Sequence, residues 1–425
     1  MIKTVRTASS LTGVIELPAD KSIAHRAALF AALGDGPSHL VNYPASADPQ
    51  STLSCLRQLG VRIEEEDGSY TVHGVGLNGL KPPAGPLDCG NSGTTMRMLA
   101  GILAGQPFDT TLIGDASLSG RPMERIAKPL RQMGAVIDLT DGHAPVYIHG
   151  GQTLKGMTYR LPMPSAQVKS CVLLAGLYAE GETTVIETLP SRDHTERMLA
   201  LDAVEMNGER HLSVKKGKRI PRQAWAVPRD FSAAAFFLVA GSIVPGAELR
   251  LPGVGVNASR SALLDVLRAM GASITVEDER TYGGEPIADL IVKASPLHGV
   301  TVPEEYIANM IDEVPILCVA ATQARGRTEI RNAGELRVKE TDRIAAMVTN
   351  LRALGAEVEE FEDGLAVTGG APLHGADVQT YHDHRIAMAM GIAGLVAAGE
   401  TVIHGADIAS VSFPTFWDVL DRIAL

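Results

Sequence analysis

The sequence predicts an α/β protein of two domains, because one unit of helix, strand, helix and strand recurs six times along its 425 residues. In each unit an apolar helix rich in Ala and Leu is followed by a strand of β-branched residues, a loop and a second helix. Four second helices close almost identically, with a Gly in fifth position, at Leu56–Val61, Leu130–Ala135, Leu267–Ala272 and Leu351–Ala356. A fifth closure, Met198–Val204, lacks the Gly. Such a long repeat is one supersecondary unit used several times, and it therefore defines the architecture.

The apolar helices are predicted to be buried, because they carry apolar side chains on nearly every side. Residue types that cap helices mark their expected starts, since these side chains accept hydrogen bonds from the first N–H groups of a helix. The starts are expected near Asp20, Asn91, Ser165, Asp230, Asp312 and Asp383.

Two similar Pro-containing links divide the six units into two groups of three. They are Leu17–Asp20 and Val227–Asp230, and a Pro just before a helix cap is typical of a crossing between domains. We therefore predict one domain at residues 18–228 and a second at residues 229–425 together with residues 1–17. The crossings are expected near residues 17–20 and 226–230.

Composition narrows the class of protein. Hydrophobic residues make up 45% and charged residues 20%, as in a soluble globular protein, and the longest apolar runs are too short to span a bilayer. The net charge of −11 argues against a nucleic-acid binder, although local cations can still bind a small anion. No signal-peptide pattern is visible at the N-terminus, and the four Cys lack zinc spacing. We expect a cytoplasmic protein with reduced thiols and no metal.

The predicted helix starts carry candidate ligands for an anion, which helix N-termini themselves attract through unpaired N–H groups. Lys21 and Arg385 are not explained by capping, because a cation there opposes the helix dipole, whereas a nearby strong anion would explain both. Gly93 would let a ligand approach the backbone closely. The candidates are Lys21, Ser22 and Arg26; Asn91, Gly93 and Thr94; Ser165, Ala166 and Gln167; and His384 and Arg385.

Two charged loops extend this set. The loop LSGRPM contributes Arg121, and the loop RVKETDR contributes Lys339, Glu340 and Arg343. Lys339 and Arg343 would share one face if their segment is helical, with Glu340 beside them and Asp312 one repeat earlier. Cations with two carboxylates suit a phosphorylated or carboxylated ligand and proton transfer. If two groups of helix starts face each other across a hinge, they would form an anion-binding cleft.

Seven motifs along the whole chain resemble those of the 5-enolpyruvylshikimate-3-phosphate synthase family. They are DKSIAHRAAL, GNSGTTMRML, LSGRPM, MPSAQVKSC, SRDHTERML, RVKETDRI and YHDHRIAMA. The resemblance implies the enolpyruvyl transferase fold, an inside-out α/β barrel whose two domains each contain three βαβαββ-type repeats.

The resemblance also implies the reaction. The enolpyruvyl group of phosphoenolpyruvate is transferred to the 5-hydroxyl of shikimate 3-phosphate with release of phosphate, a transferase step of the shikimate pathway toward chorismate and aromatic amino acids. No cofactor is expected. The expected partners are the two small substrates, without nucleic acid or membrane, and a monomer is expected. Glyphosate is the inhibitor that the resemblance implies.

Roles for single residues follow from the same resemblance. Asp312 is the expected base toward the attacking hydroxyl, and Glu340 or Lys21 is expected to handle the C3 proton. Shikimate 3-phosphate is expected to bind Lys21, Ser22, Arg26, Ser165, Ala166, Gln167, Arg192, Asp312 and Lys339. Phosphoenolpyruvate is expected to bind Lys21, Asn91, Gly93, Thr94, Arg121, Gln167, Glu340, Arg343, His384 and Arg385.

Some positions depart from the best-known bacterial members. Ala166 replaces a second Ser, His194 a Tyr, Glu335 an Asn and Val411 a Lys. The Ser-Ala-Gln and Ser-Arg-Asp-His patterns resemble a second class of the family.

Two alternatives stay open. The UDP-N-acetylglucosamine enolpyruvyl transferase family shares fold and donor, but it has a loop Cys that residues 115–121 lack and an Asn in place of Ser22. The other alternative is a non-catalytic repeat scaffold or an RNA-cyclase-like protein. The acidic net charge and the RVKETDR loop argue against both.

Overall fold

The computed structural model describes residues 1–66, 68–220 and 224–424. The chain forms two compact units. One, here called the N-unit, comprises Ala19–Pro228 and Thr281–Glu285, and the other, the C-unit, comprises Met1–Pro18, Arg229–Arg280 and Pro286–Leu425. The short segment Thr281–Glu285 therefore groups with the N-unit, whereas the sequence places it with residues 229–425. Its Glu285 is buried in the N-unit, where Oε1 lies 2.9 Å from His194 Nδ1.

Strands and helices alternate throughout both units. The strands are β1 (Ile2–Arg6), β2 (Thr12–Val14), β3 (Asp35–Val41), β4 (Arg62–Glu66), β5 (Ser69–Val75), β6 (Leu87–Asp88), β7 (Thr110–Ile113), β8 (Val136–Thr140), β9 (His143–His149), β10 (Thr158–Arg160), β11 (Glu182–Glu187), β12 (Ala203–Met206), β13 (Glu209–Lys215), β14 (Ala224–Ala226), β15 (Glu248–Gly255), β16 (Ser273–Tyr282), β17 (Glu285–Lys293), β18 (Gly326–Ile330), β19 (Glu357–Phe361), β20 (Gly364–Gly369), β21 (Asp377–Gln379) and β22 (Glu400–His404). The helices are α1 (Lys21–Leu33), α2 (Ala47–Gln58), α3 (Gly93–Leu103), α4 (Ala116–Ser119), α5 (Glu124–Gln132), α6 (Ala166–Gly176), α7 (His194–Met198), α8 (Phe231–Ile243), α9 (Ala262–Ala269), α10 (Glu304–Met310), α11 (Val314–Thr322), α12 (Arg343–Ala353), α13 (His384–Gly394) and α14 (Phe416–Ile423). Three 3₁₀ turns, Ile311–Glu313, Gly334–Val338 and Ala406–Val411, complete the described elements.

Each unit contains three small sheets of three or four strands. In the N-unit their strand orders are β14-β3-β5-β4, β6-β7-β9-β8 and β10-β11-β13-β12, and in each the first pair is parallel and the next two are antiparallel. The C-unit has β2-β15-β17-β16, β18-β20-β19 and β21-β22-β1. The predicted α/β class with repeated βαβαββ units is confirmed. A helix connects the two parallel strands of the pairs β6-β7, β10-β11 and β21-β22, which is the βαβ arrangement.

Two short strands are exchanged where the chain passes between the units. β2 precedes α1 in sequence but pairs in parallel with β15, and β14 precedes α8 but pairs in parallel with β3. β1 completes the sixth repeat by pairing antiparallel with β22. The N-terminal segment is therefore part of the C-unit.

The helices that follow the parallel edge strands form the cores. Nearly every residue of α1, α3 and α6 is buried in the N-unit, and the same is true of α8, α11 and α13 in the C-unit. The helices α3 and α6 approach so closely at Gly101 that an added Cβ would lie 2.3 Å from the Cys171 carbonyl oxygen. The burial predicted from their apolar surface is confirmed.

The repeated closures are helix C-caps. In the closure that contains Gly134, the N–H of Ala135 donates to the Leu130 carbonyl at 3.0 Å, and Gly134 has a φ of +103°. This six-residue bond is the Schellman motif, which needs a left-handed residue next to last. The fifth closure makes the same bond from Leu201 N to Glu196 O at 2.8 Å, but its left-handed residue is Ala200, with a φ of +49°.

The structure refines three details of the prediction. The cap of α3 is Ser92, one residue after Asn91, because Ser92 Oγ accepts from Thr95 N at 3.1 Å. Asp312 does not cap α11, because it lies in the middle of the 3₁₀ turn Ile311–Glu313. This turn continues α10, and α11 begins directly after it at Val314. Lys339 is extended, with φ −78° and ψ −151°, so it does not share a helical face with Arg343, which begins α12.

Among the described residues, no helix is both long enough and apolar enough to cross a membrane.

Candidate active site

Lys21 is the first residue of α1, and its ammonium group contacts a carboxylate of the same unit. Its Nζ lies 2.7 Å from Oδ2 of Asp48, in the first turn of α2. The Asp48 side chain is 8% exposed and that of Lys21 is 27% exposed, so Lys21 still faces solvent in part. The N-cap Asp20 accepts from Ile23 N at 2.8 Å. The carboxylate of Asp48 is therefore an anionic partner of Lys21 within the protein itself.

Arg26 lies one turn further along α1 and is buried. It donates from Nε to Thr195 Oγ1 at 2.7 Å, from Nη2 to Ser170 Oγ at 3.0 Å and from Nη1 to the Ser22 carbonyl at 3.0 Å. Burial lowers the pKa of Arg26 to about 10, and the charge of Arg192 lowers it as well. Arg26 and Arg192 are both predicted ligands of shikimate 3-phosphate, and the carboxylates of Glu196, Asp20 and Glu285 oppose the lowering of the Arg26 pKa.

The starts of α3 and α6 meet through polar side chains. Gln167 Nε2 donates to Thr94 Oγ1 at 3.0 Å, and Arg97 Nη1 donates to Gln167 Oε1. Gly93 packs against the same Arg97, since an added Cβ would lie 3.0 Å from its Nη1 and 3.6 Å from Nη1 of Arg121. A helix start without a side chain is therefore flanked by two guanidinium groups, which suits close approach of an anion.

Asn91 joins the loop after β6 to the loop after β7. Arg121 Nη2 donates to Asn91 Oδ1 at 2.8 Å, and Asn91 Nδ2 donates to Asp115 Oδ2 at 2.8 Å. Arg121 is thereby held near the start of α3.

The remaining predicted residues of the N-unit line the starts of α1 and α6. Ser165 caps α6 by accepting from Val168 N at 3.4 Å, and Ala166 and Ser22 are half-buried. The structure brings the predicted residues of the N-unit together at three neighbouring helix starts.

In the C-unit, Arg343 is the centre of a buried charge cluster. Its side chain is 1% exposed, and it donates to Asp383 Oδ2 at 2.7 Å, Glu340 Oε2 at 2.6 Å and Asp312 Oδ1 at 3.2 Å. Burial alone would lower the pKa of Arg343, but the charges of Asp383, Glu340 and Asp312 raise it above its usual value. Arg343 is therefore a permanent cation that orients three carboxylates.

Asp312 lies among three cations. Besides Arg343, its carboxylate oxygens lie 3.8 Å from Arg385 Nη2 and 4.0 Å from Lys339 Nζ, and its carbonyl accepts from Arg385 Nη1 at 3.3 Å. The Asp312 side chain is 17% exposed, so it remains accessible to a ligand. Arg385, like Lys21, has its counter-ion within the protein.

The start of α13 adds two predicted residues. Asp383 caps the helix by accepting from Arg385 N at 2.8 Å, and His384 is buried beside it. Burial raises the pKa of Asp383, but Arg343 and His384 lower it below its usual range. The C-unit thus gathers all of its predicted residues around Asp312 and Arg343.

Among the residues that the structure describes, no group of three or more His, Cys, Asp or Glu side chains could hold a metal ion.

The chain matches one protein family over nearly its whole length. The profile of EPSP synthase (3-phosphoshikimate 1-carboxyvinyltransferase) matches residues 5–420. The chain belongs to the EPSP synthase family. The 3-phosphoshikimate 1-carboxyvinyltransferase of Salinibacter ruber is 59% identical over 429 residues and covers 100% of both chains. That of Solibacter usitatus is 50% identical over 426 residues, again with 100% of both chains covered.

Solved structures agree with this assignment. EPSP synthase from Acinetobacter baumannii is 45% identical, with a TM-score of 0.89 over 100% of this chain and 98% of that one. The enolpyruvyl transferase NikO from Streptomyces tendae is only 18% identical but has a TM-score of 0.77 over 99% and 97% of the two chains, so it shows the shared fold. The predicted enolpyruvyl transferase fold is confirmed.

Two of the positions that were expected to depart from the best-known bacterial members, Glu335 and His194, contact charged side chains. Glu335 Oε1 is 3.2 Å from Lys339 Nζ, so a second carboxylate shares this cation with Asp312. His194 is buried against Glu285. Val411 ends a 3₁₀ turn of the C-unit and is half-buried.

Sequence reasoning missed several partners of the predicted residues. Asp48 is held by Lys21, and Glu313 by the buried Arg260, whose Nη1 is 2.9 Å from Glu313 Oε1. Lys169, which follows Gln167 and resembles a further ligand, is fully buried. Only Glu313, adjacent to Asp312, stood out in sequence, because the other contacts join residues far apart in the chain.

Proposed function

We propose that this protein transfers the enolpyruvyl group of phosphoenolpyruvate to the 5-hydroxyl of shikimate 3-phosphate and releases phosphate. Family membership over residues 5–420 carries this proposal, because that range includes every candidate residue of both units. Relatives that are 50–59% identical over their full length are named for the same reaction. The step belongs to the shikimate pathway, toward aromatic amino acids.

In the N-unit, Arg26, Arg192 and Ser165 are proposed to hold shikimate 3-phosphate. Guanidinium groups suit bidentate contacts with the anionic groups of this substrate, and this supports the assignment of the two Arg side chains. Ser22, Ala166 and Gln167 are proposed to contact the same substrate. Gly93, Asn91, Thr94 and Arg121 are proposed to contact phosphoenolpyruvate, and Lys21 both substrates.

In the C-unit, Lys339 is proposed to contact shikimate 3-phosphate. Glu340, Arg343, His384 and Arg385 are proposed to contact phosphoenolpyruvate. The excess of Arg suits bidentate contacts with carboxylate and phosphate groups.

Proton transfer is assigned to the carboxylates. Asp312 accepts the proton of the 5-hydroxyl of shikimate 3-phosphate, and the oxygen of that hydroxyl attacks C2 of phosphoenolpyruvate. Glu340 or Lys21 gives a proton to C3 of phosphoenolpyruvate. The resulting tetrahedral intermediate loses phosphate, and C3 loses a proton to give the enol ether. Arg343 supports this role of Asp312, since it orients the carboxylate from 3.2 Å.

Finer assignments complete the proposal. The Ser-Ala-Gln sequence at residues 165–167 supports membership in the second class of the family. We also propose a cytoplasmic monomer that uses no cofactor and binds no nucleic acid.

The test is release of inorganic phosphate by the purified protein from phosphoenolpyruvate and a chosen acceptor. We expect release with shikimate 3-phosphate and none with UDP-N-acetylglucosamine. Release with only the nucleotide sugar would assign the alternative enolpyruvyl transferase activity, and release with neither would contradict an enzymatic function. Boiled protein provides the blank.

A further inference from the structure

Lys169 is an ammonium group with all of its donors used inside the protein. It lies in the second turn of α6 with a side chain that is 0% exposed. Its Nζ lies 2.9 Å from Glu187 Oε2, 2.7 Å from Glu196 Oε1 and 3.4 Å from the Ser191 carbonyl. An ammonium has three donors, so Lys169 has none left for a ligand.

The partners of Lys169 fix both ends of a short segment, residues 191–196. Glu187 Oε1 accepts from the N–H of Ser191 at 3.2 Å and from its hydroxyl, which anchors the start. Glu196 in α7 anchors the end, where it also lies 3.4 Å from Arg210 Nη1. The segment is thus tied to α6 by one ammonium group.

This segment carries Arg192 and contacts Arg26, both of which are proposed to hold shikimate 3-phosphate. Arg192 follows Ser191 directly, and Thr195 Oγ1 accepts from Arg26 Nε at 2.7 Å. Ser170, the residue after Lys169, contacts both Thr195 Oγ1 at 2.7 Å and Arg26 Nη2 at 3.0 Å. A displacement of residues 191–196 would therefore move Arg192 and Arg26 together.

We propose that Lys169 is a positioning residue for shikimate 3-phosphate, which holds residues 191–196 so that Arg192, and Arg26 through Thr195, keep their positions toward this substrate. This inference rests on the proposed function. Stability alone is a weak reason for a buried ion cluster, because well-packed neutral groups are often equally stable there. Geometry is what the cluster provides, since each of the three contacts of Lys169 joins α6 to residues 187–196.

The test uses a charge-balanced double variant, Lys169→Met with Glu196→Gln, which leaves Glu187 paired with the partly exposed Arg210 at 3.8 Å. We expect KM for shikimate 3-phosphate to rise by about tenfold or more, because its proposed ligands Arg192 and Arg26 lose their positions. At saturating shikimate 3-phosphate, kcat and KM for phosphoenolpyruvate should change by less than about threefold. Steady-state phosphate release gives all three constants.

A matched control makes the same exchanges at an exposed pair of the N-unit, Lys215→Met with Glu182→Gln, whose charged atoms lie 3.6 Å apart. It should leave every constant unchanged. Ser191→Ala is a milder second variant, which removes only the hydroxyl bond to Glu187 and should raise the same KM to a smaller extent. If circular dichroism shows that the double variant does not fold, the KM of Ser191→Ala for shikimate 3-phosphate decides the test.

The inference is overturned if the folded variants keep a wild-type KM for shikimate 3-phosphate, or if all constants change in proportion. Failure of the proposed function looks different, because the wild-type protein would then release no phosphate from this substrate.

Discussion

Asp312 is a carboxylate surrounded by Arg343, Arg385 and Lys339, with distances of 3.2 to 4.0 Å to their nitrogen atoms. Three cations beside one carboxylate orient it, and they would also attract anionic substrates to it. The same cluster can therefore bind substrate and hold the proposed base in place.

Replacement of Asp312 by Asn should separate these two roles. We expect kcat to fall by about 10²–10⁴-fold, because the base is lost, while both KM values stay similar or fall because the cations remain. Steady-state kinetics provide the measurement. Glu335→Gln, which removes a carboxylate from the same Lys339 at 3.2 Å, is the control and should keep most of kcat. Near-normal turnover of Asp312→Asn would exclude it as the base.

Gly93→Ala tests the helix start proposed for phosphoenolpyruvate. The added Cβ would lie 3.0 Å from Arg97 Nη1, so this guanidinium must shift by a few tenths of an ångström. We expect KM for phosphoenolpyruvate to rise several-fold, with KM for shikimate 3-phosphate nearly unchanged, and inhibition by glyphosate to weaken. Gly85→Ala is the control, since nothing lies within 4 Å of its added Cβ. Equal kinetics and inhibition for wild type and Gly93→Ala would place Gly93 outside the pocket.

The sequence shows which residues carry charge, but it does not show what each charge contacts. Lys21 and Lys169 both follow helix caps and look alike as candidate ligands. In the structure Lys21 keeps 27% of its side chain exposed beside Asp48, whereas Lys169 is sealed by Glu187 and Glu196. Those contacts cross 18 to 27 residues of chain, and no local spacing encodes them.

At the scale of elements, the closures were predictable and the start of α11 was not. A closure is decided within six residues, because the Gly and the hydrogen bond across it are local. Asp312 resembles a cap in sequence, but the chain before it is already helical in α10, so Asp312 continues a turn.

The fifth closure provides an element-scale prediction. Ala200 has a φ of +49° and is exposed, and a Cβ disfavours this left-handed conformation. We expect Ala200→Gly to raise the free energy of unfolding by about 0.5–1 kcal/mol. The measurement is chemical denaturation. Ala269→Gly, the same exchange at an exposed right-handed helical position of α9, should instead lower stability by about 0.5–1 kcal/mol. A loss of stability in both variants would mean that Ala200 is not strained.

Three helix starts of the N-unit are joined by a buried polar cluster around His25. His25 Nδ1 lies 2.7 Å from Thr52 Oγ1 in α2, and Nε2 lies 3.4 Å from Ser92 Oγ, the cap of α3. Burial lowers the pKa of His25 to about 3; Asp48 raises it, and Lys21 lowers it further. The folded protein therefore requires a neutral imidazole here.

Acid should weaken the fold through this residue. The stabilisation from neutral His25 is complete above the ordinary pKa of 6.5 and is lost progressively as the pH falls toward 3, because the unfolded chain binds a proton first. Between pH 7 and pH 5 we expect wild type to lose about 2 kcal/mol more than His25→Asn. Urea denaturation across this range measures the difference. His39→Asn, at an exposed His of the same unit, should track wild type, and parallel pH curves for wild type and His25→Asn would contradict the assignment.

For the whole molecule, sequence repeats indicated the number of units, but they did not reveal which strands exchange. β2 and β14 are short strands. β2 pairs in parallel with β15, and β14 pairs in parallel with β3, which lies more than 180 residues away in the chain. Nothing in three residues of sequence specifies a partner at that distance, because the pairing depends on how the units are assembled.

The N-terminal segment is accordingly expected to control the stability of the C-unit. Leu11 is 0% exposed within the core of that unit, and its carbonyl accepts from Glu248 N at 2.9 Å. Leu11→Ala should cost about 2–5 kcal/mol through the cavity that it leaves. By hydrogen exchange, protection should fall in α8, α11 and α13 and persist in α1, α3 and α6. Leu53→Ala, at an equally buried Leu of the N-unit core, should give the reverse pattern. Equal loss of protection in both sets of helices for either variant would show that the two units unfold as one cooperative body, whatever their separate cores.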